Sequence, residues 1–172
     1  MKQFKKAWDQ SRKSIFRLEL LSIYNVSGDR ECFQKFLKHE DYIDNEFREW
    51  LIKIENTNKK GVRTERVRIY AQPVNDYIKY EIDAWKHSIK VGDKVFFLDY
   101  EKYVGIIEEL KIVPEDFWLF DESVLVTFHY GSDGSFIGEE LMVGDVLIRK
   151  CIDLKNKLLD ISIPYQQFLK DI

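Results

Sequence analysis

At 172 residues, with 45% apolar and 15% aromatic residues, the chain is long enough to bury a sizeable core and too apolar for general disorder. A net charge of −3 excludes a global basic signature for nucleic acid, and two cysteines exclude a disulfide framework. There is no signal-type apolar region and no apolar run of membrane-spanning length, so a cytoplasmic protein with reduced thiols and no membrane association is expected.

Charge is unevenly spread. The first 72 residues carry 16 Lys/Arg against 11 Asp/Glu, and the remaining 100 carry 11 against 19. The segment Met1 to Ser11 places Phe4, Ala7, Trp8 and Ser11 at helical spacing, with Lys2, Lys5 and Lys6 outward. It reads as a solvated helix packing Phe4 and Trp8 on the body, or else as a phosphate- or membrane-touching arm over residues 1–13. From Ile15 the period changes, and Phe16, Leu18 and Leu20 alternate with Arg17 and Glu19 as in a half-buried strand. Ser27-Gly28-Asp29 offers the start of a helix with Phe33, Phe36 and Leu37 as its stripe.

Glu49 to Glu55 alternates again through Trp50, Ile52 and Ile54, which predicts a strand, with Asn56 to Gly61 as a hairpin loop. Val62 to Tyr70 follows as a strand. Val67 and Ile69 point inward, so Arg66, Arg68 and Tyr70 share the other face. Ile78, Ile82, Trp85 and Ile89 mark an amphipathic helix with Asp76 in its first turn. Lys94 to Tyr100 reads as a short strand, and Tyr103 to Val113 fits helix or strand. Phe117 to Phe120 is apolar, and Val124, Val126, Phe128 and Tyr130 alternate up to the turn Gly131-Ser132-Asp133-Gly134. Ser135 to Met142 completes that hairpin. Asp145 to Leu159 is helical, with Cys151 on its apolar face as a buried thiol, and Pro164 begins a last short turn or helix. The expected architecture is α+β, an antiparallel sheet of hairpins with helices packed on one face and a C-terminal helix. It forms a single domain over residues 1–172, with a helical extension over 143–172.

Three groups of residues carry a family resemblance. They are Phe16-Arg17-Leu18-Glu19 with Tyr24; Arg66-Val67-Arg68 with Asn75-Asp76-Tyr77 and Glu81; and Glu115 to Asp121 with Tyr130 and Gly134. In this order the chain resembles a family of small bacterial proteins known as a domain of unknown function, often encoded near helix-turn-helix regulators. The resemblance implies a cytosolic bacterial setting and hints at a regulatory role. It brings no established activity.

Four constellations carry chemistry. Arg66, Arg68, Tyr77, Glu81, Asp116, Trp118 and Asp121 form either a rigid arginine–carboxylate knot or a ligand site, with Trp118 and Tyr77 as stacking walls for an anion. Asp99 with Glu109-Leu110-Lys111 has the residue types of a metal-dependent nuclease, a weak pattern in a chain one-third charged. His39, His87 and His129 share no metal-ligand spacing, and no serine lies in a nucleophile motif. Lys5, Lys6, Lys59, Lys60 and Arg63 could line up for phosphate contacts if the first helix neighbours the Asn56–Gly61 loop. These residues favour a non-enzymatic regulatory or interaction protein that works through a protein partner, with a helix-turn-helix regulator as one candidate, and senses a small anionic ligand. The alternative is a nucleic-acid-binding accessory protein or a nuclease. No cofactor is implied.

Overall fold

The computed structural model describes residues 1–113 and 115–171; Pro114 and Ile172 lie outside the described residues. The helices are α1 (Lys2–Gln10), α2 (Asp29–Leu37), α3 (Asn45–Lys59), α4 (Asp76–Lys90), α5 (Tyr100–Leu110), α6 (Asp145–Ile161) and α7 (Tyr165–Asp171). The strands are β1 (Ser14–Glu19), β2 (Arg63–Tyr70), β3 (Lys94–Asp99), β4 (Asp116–Phe120), β5 (Val124–Tyr130), β6 (Phe136–Met142) and β7 (Ile163–Pro164). They form one sheet in the order β6-β5-β4-β1-β2-β3-β7. The α+β class and the mostly antiparallel sheet stand as expected, with a parallel core. Strands β1, β2 and β3 run parallel, joined by α2–α3 and by α4. The remaining pairings are antiparallel.

Helices cover both faces of the sheet. Phe16, Leu18, Val67 and Ile69 pack against Tyr103 and Ile106 of α5 and Cys151, Leu154 and Leu158 of α6. Residues of opposite parity in the strands meet the other layer. Ile15, Trp118, Phe120 and Val126 pack on Phe4, Ala7 and Trp8 of α1 and Ile54 of α3. Val95 and Phe97 pack on Ile78, Ile82 and Trp85 of α4 and on Tyr165 and Phe168 of α7. Strand β1 is therefore buried on both sides, not half-buried, and its charged residues lie under helices.

The Glu49–Glu55 strand and its hairpin are corrected to helix. Asp44 caps α3 by accepting the Phe47 N–H at 2.8 Å. Trp50, Ile54 and Thr57 then share one face at spacings of four and three, and Ile54 and Thr57 are buried. Ile52 is 56% exposed, so the alternation that suggested a strand includes one solvent-facing isoleucine. The ambiguous stretch after Tyr100 is helix α5, started by Asp99, which accepts the Glu101 N–H at 2.9 Å. Among the described residues no helix is long and apolar enough to cross a membrane.

Candidate functional site

The parallel register of β1 and β2 sets Arg17 beside Arg66 and Glu19 beside Arg68. With a period of two, all four side chains emerge on the face covered by α3 and α4. Arg68 is 0% exposed, and its Nε donates to Glu81 Oε2 of α4 at 2.7 Å. Arg66 donates from Nε at 3.1 Å to Asp93 Oδ2 and lies 3.0 Å from it at Nη2. Arg17 Nη2 donates to Asp116 Oδ2 at 2.9 Å and to the Tyr130 hydroxyl at 3.0 Å. Asp116 also accepts from the Tyr24 hydroxyl at 2.5 Å and the Leu20 N–H at 3.1 Å. Glu19 lies between two arginines at longer range, 3.5 Å from Arg17 Nε and 3.5 Å from Arg66 Nη1.

Above these residues is a cavity of about 250 Å³. Arg17, Glu19 and Arg66 form its floor. Helix α4 contributes Tyr77, Tyr80, Glu81, Ala84, Trp85 and Ser88, and α3 contributes Phe47 and Trp50. Tyr24, Val26, Asp29 and Tyr130 close the rim. Asp29, in the first turn of α2, accepts hydrogen bonds from the Tyr77 and Tyr80 hydroxyls, which ties α2 to α4.

Three guanidiniums therefore meet five carboxylates: Glu19, Asp29, Glu81, Asp93 and Asp116. Such an excess of buried negative charge is relieved by protonation. Burial pushes the Glu81 carboxyl up to about 8, against the pull of Arg68. Burial also raises Asp29, despite its tyrosine donors, and Asp116, despite Arg17 and Tyr24. Burial works against the Glu19 charge too, but Arg66, Arg17 and Arg68 together hold that carboxyl below its ordinary value.

Some donors remain unfilled. Arg17 is 3% exposed, yet among the described residues its Nη1 has no hydrogen-bond acceptor, its Nε has only Glu19 at 3.5 Å, and Arg68 Nη2 has no acceptor. The Arg17 guanidinium carbon lies 5.1 Å from the Trp118 ring centroid and 5.0 Å from that of Phe128, so part of its charge rests on ring faces.

Of the residues proposed from sequence, Arg66, Arg68, Tyr77, Glu81 and Asp116 come together. Asp116 meets Arg17, however, not Arg66 or Arg68. Trp118 supports Arg17 from within the α1 core and does not line the cavity. Asp121 is at the far end of β4. Its carboxylate accepts the N–H groups of Arg12, Lys13 and Ser14 at 2.8, 2.7 and 2.9 Å, pinning the link between α1 and β1. Burial opposes the charge, but these bonds hold the carboxyl below its ordinary value. Asp121 and Glu122 have φ of 50° and 54°, as a tight hairpin turn requires. Asp121→Ala should cost about 2–3 kcal/mol through three lost charge-assisted bonds and a left-handed alanine. Urea unfolding measures this, and a loss below about 0.5 kcal/mol would exclude the pinning role.

Arg17, Glu19, Asp93, Trp50 and Trp85 were not singled out from sequence as site residues. The available signal was that Arg17 and Glu19 alternate with Phe16 and Leu18 as Arg66 and Arg68 do with Val67 and Ile69. Asp99 caps α5, and Glu109 meets Lys157 at 2.5 Å near its other end. Ten helical residues put them about 15 Å apart, so they do not converge on one ion. Helix α1 does neighbour α3, since Trp8 Nε1 donates to Thr57 Oγ1 at 3.0 Å. Its basic residues are interspersed with acids: Lys5 pairs with Asp9 at 2.6 Å and Lys59 with Glu55 at 2.7 Å. Arg63 is exposed at the start of β2, and Lys6 and Lys60 line separate grooves.

The chain belongs to a family described as a domain of unknown function, DUF6879, whose model matches residues 2–170. The expected membership of such a family is borne out at that level. Comparison with curated proteins gave no match.

Proposed function

We propose that the protein is a small-ligand sensor that takes an organic anion in the cavity between the sheet and helices α3 and α4. The observation that carries this reading is Arg17: a buried guanidinium on the cavity floor that has only Glu19, at 3.5 Å, beside Nε and, among the described residues, no acceptor at Nη1. Unfilled buried donors are costly, and a ligand oxygen would fill them. Arg66 Nη1, whose contact with Glu19 is only 3.5 Å, is a second donor for the same ligand. The ligand body would lie against Trp50 and Trp85. Occupancy would tie α3 and α4 to the sheet and alter the surface offered to a protein partner, which is the proposed route to regulation.

A thermal-shift screen of small organic acids tests the reading. Ligands should raise the Tm of the wild-type protein by several degrees at about 100 times their Kd. They should leave Ala84→Met unchanged, because Ala84 lines the cavity and a longer side chain there would fill it. A screen without hits, or hits that persist in Ala84→Met, would overturn the proposal.

A further inference from the structure

The size, walls and charge balance of the cavity point to a narrower ligand class, which rests on the small-anion reading above. We infer that the ligand is an aromatic monocarboxylate, bound as a monoanion, and that the carboxylate cluster takes up a proton with it where that cluster is fully ionised.

Three observations converge. The cavity of about 250 Å³ lies just below the usual range for drug-sized ligands, so it suits a single ring bearing one short polar group. Its walls include Trp50, Trp85, Tyr77 and Tyr80, an aromatic lining that suits a ring. The cavity floor carries the guanidiniums of Arg17 and Arg66, whose planar fork matches a carboxylate.

Charge separates a monoanion from a phosphate ester. The cluster already has two more carboxylates than guanidiniums, so a dianion would deepen the excess. Even one further negative charge calls for a proton. Glu81 is the natural acceptor because it has the fewest donors. Among the described residues it accepts from one nitrogen, Arg68 Nε, whereas Asp93 faces two nitrogens of Arg66, Asp116 accepts from three groups and Asp29 from two tyrosines. The charged and titratable groups around Glu81 are Arg68 from β2, Glu19 from β1, Asp29 from α2 and Tyr77 on its own helix. Burial raises the Glu81 carboxyl to about 8, so proton uptake with the ligand grows as the pH rises through that value.

Matched probes test the inference. Benzoate, benzamide, benzamidinium, phenyl phosphate and acetate are titrated into the wild-type protein at pH 7 by calorimetry. Benzoate should bind at least about tenfold tighter than each of the others, the scale of one charge-assisted hydrogen bond. At pH 8.5, titrations in buffers of high and low ionisation enthalpy should differ by up to about three-quarters of a proton taken up per benzoate. Glu81→Gln should bind benzoate without that difference, and the wild-type buffer comparison stands by itself if the variant does not fold. Tighter binding of benzamidinium or phenyl phosphate would overturn the inference, as would equal binding of acetate or a heat independent of buffer. Acetate binding without benzoate would remove the aromatic class and leave the anion site intact. Failure of every carboxylate to bind would bring down the anion-site reading itself.

Discussion

At pH 9, where the Glu81 carboxyl is ionised, Arg68→Met is expected to destabilise the protein by about 3–5 kcal/mol, the cost of leaving one member of a buried ion pair uncompensated. Arg68 is 0% exposed, and its Nε–Glu81 bond of 2.7 Å is the contact that ties β2 to α4 through charge. Removing the guanidinium leaves Glu81 beneath Tyr77 and beside Glu19 and Asp29 with no cation of its own. It also strips donors from the Ile69 and Glu19 carbonyls. Adding Glu81→Leu should restore stability to within about 1 kcal/mol of wild type, because two well-packed apolar side chains can replace a buried pair at little cost. Urea denaturation of both single variants and the double variant measures the coupling. Losses that simply add would mean that the pair does not act as a unit. Because domain stabilities are only about 5–15 kcal/mol, Arg68→Met alone should put the protein close to unfolding at 37 °C.

Raising the pH from 5 to 9 should weaken the fold by a few kcal/mol, and Glu81→Gln should remove most of that dependence. The Glu81 carboxyl is raised in the folded protein from 4.5 to about 8. A raised acid binds more protons in the folded state than in the unfolded state between those two values. Its contribution is therefore complete below about pH 4.5 and is lost as pH rises through about 8. At about 1.4 kcal/mol per unit the ceiling is about 5 kcal/mol, and on the order of 2–4 is expected beside Arg68. Asp29 and Asp116 are also raised and add in the same sense. Glu19 and Asp121 are lowered, so their contributions are lost as pH falls and shape the acid limb instead. Denaturation midpoints at pH 5.5 and 8.5 for wild type and Glu81→Gln decide this. A Glu81→Gln profile parallel to wild type would show that Glu81 is ionised throughout.

Much of the site was within reach of pattern reading, and the losses have physical causes. Arg66 and Arg68 share one face because strand side chains alternate, and Glu81 joins the same candidate cluster from α4, whose helical period is clean. Arg17 and Glu19 show the same alternation one strand earlier. They read as solvent-facing because nothing local says that a helix will cover them. Trp50 was assigned to a strand because Trp50, Ile52 and Ile54 mimic a period of two over five residues. The longer series Phe47, Trp50, Ile54 and Thr57, started by Asp44, is helical.

Local patterns determined the start of each parallel strand, the amphipathic face of α4, the β5–β6 hairpin and the burial of Cys151. All of these depend on neighbours a few residues apart, where side-chain periodicity and turn chemistry act directly. Tertiary structure alone decided which carboxylate meets which guanidinium. Arg17 reaches Asp116 across 99 positions, Arg66 reaches Asp93 across 27, and the pairing depends on β1 lying between β2 and β4. It also decided that Asp121 holds the link between α1 and β1, away from the Arg17–Arg66 cavity, and that the charged face of β1 lies beneath α3 and α4. Charge pairing at that range follows from strand order and helix placement, and neither is written in the spacing of nearby residues.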